Sequence, residues 1–209
     1  MIGLLGAHRT GKTTLARAFA DKHGIEFVQT SVSAIWHDLG YDPSAEYDFP
    51  TRLMIQEEIL KRVDAVYGEK AGQFFITDRT PLDMAAYTLA DAIGNRVPPT
   101  CQKRLAKYVQ DCFDSTNRRF GVVVLVQPGI KLVDEPGKAP LNEGYIEHLN
   151  SLMLGLSVDE RIKCHHYYIP RHLLTVEERI AAVENAFGRS KQRVVSEYDD
   201  LKVGGLRLH

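Results

Sequence analysis

Cysteine is scarce in this chain of 209 residues: Cys101, Cys112 and Cys164 are odd in number and show no C-x-x-C spacing. That excludes a disulfide framework and a zinc site built on thiolate pairs. It leaves Cys101 and Cys112, in a helical-looking stretch, as buried apolar thiols. An excess of one charge is missing as well. Lys and Arg total 26 against 27 Asp and Glu, a net charge of −1, so no global field draws the chain to nucleic acid or an anionic membrane. No apolar run approaches bilayer-crossing length. Neither a repeat nor a low-complexity tract is present. His165 and His166 point to opposite faces of one expected strand, with no carboxylate–histidine spacing around them, so zinc is not expected. No Ser or Cys has the strand–turn–helix context of a nucleophile. The N-terminus runs directly into a strand-like segment, which predicts the absence of a signal peptide. The remaining composition, 44% hydrophobic and 25% charged, is that of a globular protein, expected as one domain over residues 1–209 in a reducing cytoplasm.

The clearest positive feature is Gly6-Ala7-His8-Arg9-Thr10-Gly11-Lys12-Thr13, which matches G-x-x-x-x-G-K-[ST] at every fixed position. An apolar run (Ile2, Leu4, Leu5) precedes it and a helical pattern (Leu15, Ala16, Phe19, Ala20) follows. Strand, glycine loop and helix in that order aim backbone N–H groups and a helix N-terminus at a phosphate chain. The motif predicts a nucleoside triphosphate site over Gly6, His8, Arg9, Thr10, Gly11, Lys12, Thr13 and Thr14. Lys12 is expected on the β- and γ-phosphates, and the Thr13 hydroxyl on Mg²⁺. The backbone of His8 and Arg9 serves the nucleotide in this reading, while their side chains face either an acceptor or solvent.

Short strand-like runs alternate with helical ones, the pattern of a parallel sheet covered on both faces. Strands are expected at the N-terminus, Ile25–Val28, Phe74–Thr77, Gly121–Val126 and His165–Ile169. Helices are expected after the glycine loop, around Ala34–Leu39, over Pro50–Tyr67, from Thr80 to Ile93, over Thr100–Asn117 and over Asn142–Leu154. A last helix runs from the capping box at Thr175–Glu178 to about Phe187. Thr80-Pro81-Leu82-Asp83 combines a cap, a first-turn proline and a third-position acid. Residues 127–142 contain Pro128, Gly129, Pro136, Gly137 and Pro140 and read as a functional loop, a lid over about 127–145. The residues from about 188 onward are charged and glycine-containing, and read as a partly disordered tail.

Parallel α/β sheets place their sites at the carboxyl ends of strands. Asp78 and Arg79 follow the third strand: an acid there coordinates Mg²⁺ or accepts a hydroxyl proton, and an arginine clamps a phosphate. Asp83 has two readings, helix capping and substrate contact, with the local pattern favouring the cap. Trp36, with His37, Tyr41 and Tyr47, either builds an acceptor pocket in which a base stacks or packs into the core. Arg52 opens the long helix as an anion contact or as a surface charge. Lys131, Lys138 and Arg161 lie near the expected lid, where they reach transferring phosphates on closure or only solubilise it.

Phosphate loops serve kinases, GTPases, motors and switches alike. The chain lacks the Asn-Lys-x-Asp motif with which a GTPase reads its base, and Asp-Arg stands where machine ATPases end their third strand in an acidic pair. Gly6–Thr13, the Thr77-Asp78-Arg79-Thr80 strand end and the late Pro/Gly-rich loop resemble the P-loop nucleoside and nucleotide kinase superfamily. The resemblance is greatest to a compact group that includes nicotinamide riboside kinase-like domains and small kinases of bacterial viruses, with a host-cytoplasm setting in the viral case. It covers nearly the whole chain in element order, and identity is confined to those short motifs.

This resemblance implies an α/β three-layer sandwich, a five-stranded parallel sheet with helices on both faces and a lid insertion. It implies transfer of the γ-phosphate of ATP, with Mg²⁺, to a nucleoside or (deoxy)nucleoside monophosphate. Lys12, Asp78 and Arg79 are then catalytic, with Trp36, Arg52, Arg79, Asp83, Lys131 and Lys138 toward the acceptor and Thr13 and Asp78 toward the metal. In thymidylate kinases a similar Arg grips the acceptor monophosphate; in deoxynucleoside kinases the related acid serves the acceptor hydroxyl as base. Many monophosphate kinases have Arg-rich lids, whereas residues 127–142 hold no arginine. Two alternatives stay open. One is phosphorylation of a hydroxymethylated base (5-hydroxymethyluracil) in DNA, with Lys103, Arg104, Lys107, Arg118 and Arg119 as a basic track. The other is a non-catalytic nucleotide-sensing ATPase module. Expected partners are a small-molecule acceptor or modified DNA, and no membrane; a homodimer stays open.

Overall fold

The computed structural model describes residues 1–92, 97–131 and 141–205, with side-chain surroundings through residue 192. Short apolar and β-branched runs make its five strands: β1 (Ile2–Leu5), β2 (Glu26–Val28), β3 (Phe75–Thr77), β4 (Val122–Val126) and β5 (His165–Ile169). They form one all-parallel sheet in the order β2-β3-β1-β4-β5. A parallel sheet must be covered on both faces, and the two-residue alternation of its side chains sorts them between the covers. Ile2 and Leu4, with Val122, Val124 and Val126, pack with α1 (Lys12–His23) and α7 (Val176–Gly205). Leu5, Val123 and Leu125 pack with α3 (Phe49–Glu69), α4 (Pro81–Asp91), α5 (Pro99–Arg119) and α6 (Glu143–Ser157). The short α2 (Val32–Asp38) lies on α3. Each fully enclosed Val, Ile or Leu stabilises by about 1.5–3 kcal/mol, which is why the all-valine-and-leucine β4 is the centre of both cores.

Two expectations change here. The last helix continues through Gly188 to Gly205 where a partly disordered tail was expected, because a lone glycine costs only about 1 kcal/mol inside a helical pattern. The end of the expected lid span is helix, since the Asn142 side chain accepts the Tyr145 N–H (2.9 Å) and starts α6. Residues 132–140, most of that lid, lie outside the described residues, and Lys138 with them. Among the described residues no helix is long and apolar enough to cross a membrane.

Candidate active site

Strands β1 and β3 pair Gly3 with Thr77, so the chain leaving β1 at Gly6 and the chain leaving β3 at Asp78 emerge side by side. The β1–α1 turn needs glycine twice. At Gly6 a Cβ would lie 2.7 Å from the Val126 carbonyl, and Gly11 opens α1 at φ 83°, a left-handed conformation that a side chain resists. Gly11 supplies no side-chain cap and the first turn holds no acid. The first amides of α1, which have no intrahelical acceptor, therefore keep the positive end of the helix dipole open to an anion. Arg9, at φ 63°, is the one non-glycine residue with positive φ among the described residues, a strain on the order of 1 kcal/mol held by its surroundings.

The loop just before Arg9 is held from α4. Asp83 accepts the Gly6 N–H through Oδ1 (3.1 Å), and the Thr80 N–H (2.7 Å) and hydroxyl (2.8 Å) through Oδ2. The Tyr87 hydroxyl accepts the His8 N–H (3.0 Å) and lies 3.1 Å from His8 Nδ1. Within the loop, the Thr10 hydroxyl donates to the Ala7 carbonyl (2.9 Å). Lys12 is 8% exposed, and its Nζ donates to the carbonyls of Gly6 and Ala7. Burial pulls the Lys12 pKa down to about 8, against the attraction of Asp83 and Asp78 and with repulsion from Arg79.

Charge in the site is strongly one-sided. Burial lowers the pKa of Arg79, but Asp83, Tyr87, Asp78 and Tyr67 outweigh it and leave the guanidinium raised. That guanidinium lies 5.8 Å from the Tyr87 ring centroid. His8 is lowered, first by burial and then by Lys12, Arg9 and Arg79. Burial pushes Tyr87 up to about 12. A cavity of about 590 Å³ joins these groups. The loop contributes His8, Arg9, Gly11, Lys12, Thr13 and Thr14, and the β3 end contributes Asp78 and Arg79. The remaining wall is Val32, Ser33, Trp36, Pro43, Arg52, Gln56, Met84 and Tyr87. Among the described residues its charged lining is Arg9, Lys12, Arg52 and Arg79 against Asp78, the balance expected of a polyanion site.

The Thr13 hydroxyl donates to Asp78 Oδ2 at the edge of this cavity. A hydroxyl and a carboxylate in contact are hard oxygen ligands that fit Mg²⁺, which takes one or two protein oxygens and completes its shell with water and phosphate. Among the described residues no group of three or more His, Cys, Asp or Glu is placed to hold a metal, so no all-protein cage competes.

A family model described as "AAA domain" matches residues 1–131, from β1 to just past β4. The chain belongs to this AAA-domain family. No curated protein sequence matches it. Among solved structures, the deoxyadenosine kinase of M. mycoides with dCMP and dCDP bound superposes at TM-score 0.62 and 18% identity, over 90% of this chain and 98% of that one. Thymidylate kinase from Candida albicans gives 0.61 at 13% identity, over 91% of each chain. The YorR protein of Bacillus subtilis, in complex with phosphorylated GDP, gives 0.53 at 11% identity, over 91% of this chain and 97% of that one. The fold of this AAA-domain chain is that of the P-loop nucleoside and nucleotide kinases.

Not every expected site residue reaches the AAA-domain cavity. Trp36 does, and it is also core: 6% exposed, with Tyr47 5.9 Å away ring to ring and Tyr41 edge-on behind Tyr47. His37 is exposed. Arg52 lines the cavity while its Nε donates to Asp91 (2.8 Å), so its charge is largely answered. Asp83 requires correction: it is fully buried, both its oxygens are engaged, and it does not line the cavity. Lys131 also requires correction, being exposed on a separate cleft beside Pro128, Glu143 and Glu147. Arg161 makes two contacts to Asp159 and covers the Phe113 ring at 4.0 Å, a packing role. The basic track is largely neutralised: Arg104 pairs with Glu57, Lys107 with Asp111, and Arg118 and Arg119 with Asp64.

Sequence reasoning overlooked Tyr87 and Gln56. Both stand four residues beyond a residue already singled out, Asp83 and Arg52, and therefore share its helix face. That spacing was the available signal.

Proposed function

We propose that this chain is an ATP- and Mg²⁺-dependent phosphotransferase that moves the γ-phosphoryl group to a (deoxy)nucleoside monophosphate. The observation that carries this reading is that one cavity holds the glycine loop, the Thr13–Asp78 oxygens, Arg79 and an aromatic and amide wall large enough for a second molecule. The α1 amides and Lys12 take the β- and γ-oxygens. The Lys12 ammonium exchanges two loop carbonyls for phosphate oxygens, whose charge reverses the effect of its burial. Mg²⁺, held by Thr13 and Asp78, supplies neutralisation of the phosphate chain. Arg79 grips the acceptor phosphate or the migrating group, and Trp36, Gln56 and Met84 face the acceptor's base. Positioning and charge, with little covalent chemistry from the protein, account for such a transfer.

A monophosphate is favoured over a nucleoside because Asp78 is the only carboxylate lining the cavity among the described residues and is engaged with Thr13. A hydroxyl acceptor needs a base; an ionised phosphate does not. The likeness to a protein described as a thymidylate kinase supports this acceptor class, whereas that to a deoxyadenosine kinase supports a nucleoside, and both acceptors are therefore arms of the test. The paired cations on α5 give a DNA strand few free charges to bind. Labelled ATP incubated with deoxynucleosides, their monophosphates and hydroxymethylated DNA tests the reading. Label on monophosphates is expected, with Arg79→Met raising the acceptor KM on the order of tenfold. Label on DNA alone, or phosphate release indifferent to any acceptor, overturns it.

A further inference from the structure

Helix α7 reaches the phosphate loop through one side chain. Arg179 is 3% exposed; its Nε donates to the Leu173 carbonyl and its Nη1 to the Thr10 carbonyl, each at 2.8 Å. Nη2 is buried without a hydrogen-bond partner, and the guanidinium has no ion-pair partner among the described residues. Glu178, its neighbour in sequence, is turned to the N–H groups of Leu174 and Thr175. A buried cation with no acid in contact is unfavourable for the fold, and burial lowers its pKa against the lesser attraction of Glu178. Such a group asks for a reason beyond packing.

The reason lies in the peptide it holds. In a planar trans peptide the C=O and the following N–H point in opposite directions. Fixing the Thr10 carbonyl on Arg179 therefore turns the Gly11 N–H away from α7. Gly11 is also the residue at which this peptide turns over most easily, because glycine accepts either sign of φ. Its own surroundings are close: a Cβ there would lie 3.3 Å from Arg179 Nη1.

We propose that Arg179 is a positioning residue that locks the Thr10–Gly11 peptide with its N–H toward the phosphate chain and so sets the affinity of the loop for nucleotide. This rests on the loop binding a nucleoside di- or triphosphate. Titration calorimetry with Mg·ADP on the full chain tests it, alongside the Gly11 amide signal in NMR and steady-state KM values. Arg179→Met is expected to weaken ADP by about tenfold or more, and to raise the KM for ATP while leaving that for the acceptor unchanged. It should also abolish the ADP-induced shift of the Gly11 amide. Arg179→Lys, which keeps the charge but replaces the planar fork of two nitrogens by a single ammonium, is expected between the two at about threefold weaker. If the Met variant does not fold, the Lys variant decides: ADP affinity equal to wild type overturns the proposal. A lowered melting temperature with unchanged ADP affinity also overturns it, since a purely structural arginine behaves that way. Wild-type chain that binds no ADP overturns this step together with the function it rests on, whereas binding by wild type and Met variant alike overturns this step only.

Discussion

Two helices leave adjacent strands of one sheet and begin in opposite ways. At α4 every local rule is met. Thr80 caps, Pro81 takes the first position, and Asp83 returns two bonds to Thr80 while holding Gly6, all of it with no exposure. At α1 the same rules are broken. A left-handed glycine stands at the cap, no acid sits in the first turn, and a buried lysine occupies the dipole's positive end. The satisfied terminus braces the loop, and the unsatisfied one is where the proposed function places a phosphate chain. Local conflict of this kind is expected at functional sites, and a bound anion would relieve it.

The largest expected effect comes from removing the conflict at α1. Lys12→Met should cut phosphoryl transfer on the order of 10²–10³-fold, about 3–4 kcal/mol. The same change should not weaken the fold, since a lysine held at a pKa of about 8 instead of 10.5 costs about 3 kcal/mol at neutral pH, offset in part by its two carbonyl bonds. Between those two pKa values the unfolded chain binds a proton that the native state has released. Wild-type stability should therefore rise with pH from about 8 to 10.5, and the Met variant should lack that rise. Denaturant melts across this pH range, with steady-state kinetics, read both effects. A variant that turns over normally removes the contrast between the termini.

Breaking the satisfied terminus should do the reverse. Asp83→Ala strands the Gly6 and Thr80 donors in the interior and is expected to lower stability by about 2–4 kcal/mol, with a smaller loss of activity per folded molecule. An unchanged melting temperature with a raised acceptor KM would instead restore Asp83 as a substrate contact. The smallest effect sharpens the comparison at the seam between the two regions. Tyr87→Phe removes the hydroxyl that accepts the His8 N–H and meets His8 Nδ1, and should cost about 1 kcal/mol, seen as a modest rise in the KM for ATP. A loss as large as that of Lys12→Met would move Tyr87 from support into the chemistry.

Much of this was legible in local patterns. Gly6, Gly11, Lys12 and Thr13 sit at fixed spacing because a strand–loop–helix turn needs them there, and the capping box of α4 is written within four residues. The valine run of β4 announced burial on both faces. What stayed hidden was set by distance along the chain. Asp83 looks like a cap and is one, but its second oxygen reaches Gly6 across 77 residues. Arg179 meets Thr10 across 169, and Arg52 meets Asp91 across 39. Composition offered no hint that the cations on α5 would find Glu57 and Asp64 on the neighbouring helix.

The order of residues alone determined the element types, the parallel sheet and the chemistry of the phosphate loop, because spacing, glycine tolerance and side-chain alternation act within a few residues. Only the tertiary structure decided which charges face the cavity and which are answered elsewhere. Ion pairing and burial depend on what the fold brings within a few ångströms, and the strand order β2-β3-β1-β4-β5, which sets Asp78 and Arg79 beside the loop, is not written in any local stretch of sequence.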